Sequence, residues 1–98
     1  MPISIFRVKD RSMLPALGDG DYVIVSRLSY LFSAPKISDI IVLKHPEKGI
    51  LIVKRISKVR GKKFYVLGDN AAESYDSRDF GYVDRHDIFG KVVYVIRK

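Results

Sequence analysis

The chain has 98 residues, 47% hydrophobic and 30% charged, with a net charge of +7. That length supports a single domain with one modest core, and the balance favours folding over disorder. The absence of cysteine excludes disulfides, thiol nucleophiles and thiolate metal sites.

In chain order, Ile3 to Val8 is rich in β-formers and predicts a short strand. It leads into Arg11-Ser12-Met13-Leu14-Pro15-Ala16-Leu17-Gly18-Asp19-Gly20-Asp21. Proline fixes one backbone angle and glycine permits tight turning, so Ser12 is expected on a well-defined bend. Tyr22 to Ser26 predicts a second strand. Arg27 to Lys36, with Leu28, Tyr30, Leu31 and Phe32, reads as a loop or a short helical turn of exposed apolar character, which either packs against the barrel edge or touches membrane or substrate. Ile37 to Lys44 and Ile50 to Ser57 read as a hairpin across the turn His45-Pro46-Glu47-Lys48-Gly49. Phe64 to Leu67 follows through a basic turn at Gly61, and Phe89 to Ile96 is the last strand. Strands at this short spacing predict an all-β domain with a small, partly closed, barrel-like sheet. Gly68 to Asp87 reads as a polar loop, and loops of that length in small domains usually carry function.

The positive charges are scattered rather than gathered into one stripe. The densest group, Lys58 to Lys63, surrounds Gly61 as a solvated hairpin tip would. The expected anionic partner is therefore a weakly contacted anionic membrane surface, with no nucleic acid. Leu28 to Pro35 is an uncharged run far short of the roughly 20 residues that cross a bilayer. The opening residues lack a secretory hydrophobic segment. The expected location is cytoplasmic or peripheral to a membrane.

Catalytic chemistry has few donors here. His45 and His86 are the only imidazoles, which leaves a histidine-based triad poorly supplied. In the fourth strand the period of two puts Ile50, Ile52, Lys54 and Ile56 on one face. A lysine among isoleucines either snorkels to water or is held neutral by desolvation. A neutral amine can accept a serine proton, so Ser12 and Lys54 form a workable nucleophile and base. Asp69, Asp76 and Arg78 can brace the long loop through charge-assisted bonds. The carboxylates Asp69, Glu73, Asp76 and Asp79 do not have EF-hand spacing, and Arg78 is a poor neighbour for a cation, so no metal site is expected.

Three blocks in this order resemble the signal peptidase I family (S26) of Ser-Lys serine proteases. The first is Ser12 to Leu17 with Gly20-Asp21. The second is Ser38 to Val42 followed by Val53-Lys54-Arg55-Ile56. The third is Gly68-Asp69-Asn70 with Ser74, Asp76-Ser77-Arg78 and Gly81, closed by Gly90-Lys91-Val92. The third block separates the chain from the LexA-type repressor peptidases, which share the dyad and lack that box.

The resemblance implies a signal peptidase/LexA type of catalytic fold over residues 1–98. It implies peptide-bond hydrolysis with Ser12 as nucleophile and Lys54 as general base. Ser74 matches the serine that orients the lysine, Asp76 and Arg78 match a supporting ion pair, and Met13 and Pro15 shape the nucleophile turn. No cofactor or metal is implied. The implied substrate is a protein or peptide with an N-terminal leader or pro-segment. The Glu73-Ser74-x-Asp76-Ser77-Arg78-x-Phe80-Gly81 spelling is similar to that of small proteases that mature nickel-type superoxide dismutase. A membrane-peripheral signal peptidase and a catalytically silent peptide-binding module are the alternatives. One departure stands out: Asp10 lies two residues before Ser12, where many members carry a hydroxyl that serves the oxyanion. Arg7, Lys9 and Arg11 favour its ionised form, so Asp10 is expected to face solvent and take no part in the chemistry.

Overall fold

Seven antiparallel strands form one sheet in the order β1-β2-β7-β3-β4-β5-β6. The computed structural model describes residues 2–98. The strands are β1 (Ile3–Arg7), β2 (Tyr22–Ser26), β3 (Ile40–Lys44), β4 (Leu51–Arg60), β5 (Lys63–Leu67), β6 (Val83–Asp84) and β7 (Ile88–Ile96). β1 and β6 are edge strands that do not pair with each other, so the sheet curls without closing, an all-β domain as expected. The β-branched runs Tyr22-Val23-Ile24-Val25 and Ile40-Ile41-Val42-Leu43 explain the central strands.

Alternation along β3 divides the core. Ile41 and Leu43 join Tyr30, Ile56, Phe64, Val66, Val83 and Ile88 in one cluster, while Val42 joins Val8, Met13, Leu17, Val23, Val25 and Val53 in another. The sheet is thus buried on both faces near its centre, which explains why β3 is apolar throughout. β4 pairs with β3 so that Lys54 stands opposite Ile41. Ile52 and Ile56 share its face by alternation. Ile50 does not: it precedes the strand and is exposed.

Two expectations need correction. Tyr30 is not exposed: within the single-turn helix α1 (Ser29–Phe32) it is buried, with its hydroxyl donating to Asp39 at 2.6 Å. Nor is the segment after β5 without structure. It holds a 3-10 turn (Ala71–Glu73), the single-turn helix α2 (Ser77–Phe80), β6 and a second 3-10 turn (Arg85–Asp87). The physical reason is reciprocal capping: Asp76 with Asp79, and Asp84 with Asp87, each form a capping box that satisfies the first amides of a very short turn.

Candidate active site

The segment between β1 and β2 is drawn closed at its neck. Val8 N–H donates to the Asp21 carbonyl at 2.8 Å, and Gly20 N–H donates to the Val8 carbonyl at 2.7 Å. Within this loop Met13 and Leu17 are sunk in the core, whereas Pro15 is exposed. Met13 therefore anchors the bend from inside, and Ser12, 2% exposed, is held beside it.

Lys54 reaches the same point from β4. Its Nζ donates to Ser12 Oγ at 2.8 Å, and the side chain is 3% exposed. Burial pushes the Lys54 pKa down from its ordinary value; Asp10 and Asp76 oppose that change and Arg78 adds to it. The net direction is downward, towards the neutral amine.

The segment after β5 supports both residues. Asn70 N–H donates to the Ser12 carbonyl at 2.8 Å, and Asn70 Nδ2 donates to the Arg11 carbonyl at 3.0 Å. Arg11 also pairs with Glu73 at 3.0 Å. A β-carbon on Gly68 would lie 2.6 Å from the Ser12 carbonyl oxygen and closer still to Ser74 Oγ. Only glycine permits that approach.

Asp76 is the centre of the brace. It is 0% exposed, and it accepts from Gly68 N at 2.8 Å, Ser74 Oγ at 2.6 Å, and Arg78 through N, Nε and Nη2. Burial alone would raise its pKa, but these hydrogen bonds, those from Arg78 and Ser74 foremost, hold it well below the usual carboxylate range. The expected partners are partly redistributed. Ser74 donates to Asp76, and no hydrogen bond joins Ser74 to Lys54 among the described residues. Asp69 pairs with Arg55 at 2.8 Å, apart from the Asp76–Arg78 pair. The four carboxylates weighed above as a metal loop, Asp69, Glu73, Asp76 and Asp79, are all engaged by protein groups, since Glu73 holds Arg11 and Asp79 accepts from the Asp76 amide.

Asp10 departs most from the sequence reading. Its Oδ1 accepts from Ser12 N–H at 3.1 Å and from Ser12 Oγ at 2.9 Å. Asp10 is exposed, as expected, but it does not stand clear of Ser12, because an aspartate readily bonds the amide two residues on. That habit was the available signal, and it outweighs the flanking cations. The sequence reading named Arg55, Asn70 and Glu73 within its blocks but assigned them no supporting role, which their contacts with Asp69 and with Arg11 now supply. His45 is engaged by other groups: its Nδ1 accepts from the Glu47 and Lys48 amides, and its ring stacks on Tyr75.

The family model of signal peptidase, peptidase S26, matches residues 1–63 and 56–96, two segments that meet across the β4–β5 hairpin. Signal peptidase I of Leptolyngbya laminosa is 30% identical over 132 aligned positions, covering 88% of this chain and 64% of the relative. Probable thylakoidal processing peptidase 2 of Arabidopsis thaliana is 28% identical, covering 89% of this chain and 36% of the relative. Signal peptidase I of Bacillus caldolyticus is 30% identical, with 91% and 76% covered. The chain thus spans less than two thirds of the first two relatives. The alignments are also longer than the chain, so these relatives carry residues inside the aligned span that have no counterpart here. No helix among the described residues is long and apolar enough to cross a membrane. A family model matching both halves of the chain, over the segments that carry Ser12, Lys54 and Asp76, shows that the chain belongs to the signal peptidase family, peptidase S26.

Proposed function

We propose that residues 1–98 form one catalytic unit, a serine endopeptidase in which Ser12 is the nucleophile and Lys54 the general base. The observation that carries this reading is the 2.8 Å contact between Lys54 Nζ and Ser12 Oγ in a buried setting that favours the neutral amine. In the reaction, neutral Lys54 takes the Ser12 proton as Oγ attacks the scissile carbonyl carbon. Collapse of the tetrahedral intermediate breaks the C–N bond, and the leaving amine takes the proton from Lys54. Water, deprotonated by Lys54, then hydrolyses the acyl–Ser12 ester and restores both groups. Asp76 and Arg78 position the site through Gly68 and Ser74.

A cleft of about 160 Å³ has Phe6, Val8, Asp10, Met13, Ile52 and Val53 on its walls. Its size and lining suit a small apolar side chain next to the scissile bond. The substrate we propose is a protein with an N-terminal leader or pro-segment. The spelling of residues 73–81 favours the pro-form of nickel-type superoxide dismutase as the first precursor to try. Incubation of the purified chain with that precursor and with secretory precursors, followed by N-terminal sequencing, tests this. The parent is expected to cut once, and Ser12→Ala and Lys54→Arg to leave the precursor intact. An active Lys54→Arg variant would exclude the dyad, because guanidinium stays protonated.

A weak contact with an anionic membrane surface belongs to the same proposal. Leu31 and Phe32 are 68% and 86% exposed on α1, and Arg27 and Arg85 line the cavity beside Leu31. Co-sedimentation with anionic vesicles is expected at low salt and lost at high salt. Equal binding to neutral vesicles would show that the charge plays no part.

A further inference from the structure

The Asp10 carboxylate is set against Ser12. One carboxylate oxygen holds two groups of Ser12, the amide N–H at 3.1 Å and the hydroxyl at 2.9 Å. Acyl transfer needs both for other work. The hydroxyl proton has to pass to Lys54. The amide beside an attacking oxygen is the natural donor to the carbonyl oxygen as it becomes an oxyanion. In this arrangement Lys54 donates to Ser12 Oγ while Oγ donates to Asp10, so the hydroxyl proton is turned away from its base. Asp10 also lines the cleft.

We infer that Asp10 is a self-inhibitory residue of the active site, its carboxylate standing in for the substrate's carbonyl oxygen until a substrate displaces it. This rests on the Ser12–Lys54 reading above. An ionised carboxylate accepts and cannot donate, so Asp10 gives the oxyanion no hydrogen bond and repels it if it stays. It has a second effect through charge. The groups that bear on Lys54 are Asp10 and Asp76, which favour the ammonium, and Arg78, which disfavours it. Removing the charge of Asp10 therefore lets Lys54 become a free base at lower pH.

The two effects separate in two substitutions. Asp10→Gly removes both the plug and the charge. Asp10→Asn removes the charge but keeps a carbonyl that can still accept from the Ser12 amide, so it frees the site less.

The experiment uses the whole chain and 4-nitrophenyl acetate, with nitrophenolate release followed against pH and the acetyl group located by peptide mass mapping. Oγ–acetyl bond formation expels nitrophenolate, so no further reactant is needed. Asp10→Gly is expected to acetylate Ser12 about tenfold faster than the parent or more, a fraction of the ~10²–10³ that one oxyanion donor supplies. Asp10→Asn is expected to gain less. Both variants should move the acid limb of the rate profile to lower pH by a similar amount. Acetylation of Ser12 that is unchanged or slower in Asp10→Gly, or an acid limb that stays in place in both variants, would overturn the inference and leave the dyad standing. Nitrophenolate release that is the same in Ser12→Ala, with no acetyl on Ser12 in any variant, would overturn the dyad and the inference with it.

Discussion

Lys54 and Asp76 are both charged residues carried inside, 3% and 0% exposed, and the chain treats them in opposite ways. Five hydrogen bonds converge on the Asp76 carboxylate, from Gly68, Ser74 and Arg78. The Lys54 ammonium has one among the described residues, to Ser12. Burial would neutralise either group. Asp76 keeps its charge because donors more than replace the lost water, and its pKa falls. Lys54 is left under-solvated, and its pKa falls for the opposite reason. The same direction of shift thus marks a structural anion in one place and a reactive base in the other. The hydrogen-bond count distinguishes them, and the shift does not.

The contrast is broken most severely at Lys54. Lys54→Met is expected to lower turnover about a thousandfold or more, since the base is gone. The same change should raise stability by about 1–2 kcal/mol, because an incompletely solvated buried charge is replaced by an apolar side chain. The pH dependence has a definite sign. The folded state prefers neutral Lys54, so the electrostatic cost is full at pH values below its folded pKa. It fades as pH rises to the ordinary lysine range. Thermal melts of both proteins across that range check this, with the Met variant's advantage shrinking as pH rises.

At Asp76 the prediction runs the other way. Asp76→Asn leaves Gly68, Ser74 and Arg78 with a poorer acceptor, and stability should fall by about 3 kcal/mol. Asp76 has a lowered folded pKa, so its contribution is present above the usual carboxylate range and is lost as pH falls through that range and below. Urea unfolding should therefore show the parent and Asp76→Asn converging as the solution is acidified. A gap that persisted at low pH would assign the loss to packing instead of charge. Within the same network Ser74→Ala has the smallest expected effect on folding, about 1 kcal/mol for one neutral hydroxyl. If Ser74 positions the site through Asp76, turnover should fall by more than that loss accounts for. Unchanged turnover would confine Ser74 to stability.

The strands were legible because β-branched residues and alternation act locally. Tyr22 to Ser26 begins and ends as its sequence predicts, and the face shared by Ile52, Lys54 and Ile56 follows from the period of two alone. The resemblance to a known family pointed to Ser12, Lys54 and Asp76 before any coordinates. Less legible were contacts that depend on which of several charges is nearest in space. Asp69 had Arg78 close in sequence and Arg55 closer in the fold. Asp10 had cations on both sides and yet turned to an amide two residues on. The short helix at Ser77–Phe80 was missed because apolar periodicity cannot be read over four residues. The Asp76 and Asp79 caps that hold it were in plain view.

The β4–β5 hairpin tip has a consequence for how such a protease can be extended. Gly61 has a positive φ of +59°, and a side chain there would meet nothing within 4 Å. The two stretches of family likeness join at this hairpin, and β4 carries Lys54 several residues before it. The tip is therefore open to extension: a polypeptide spliced into it enters and leaves through two paired strands. Added chain can be accommodated there while the strand pairing that sets Lys54 opposite Ile41 stays as it is.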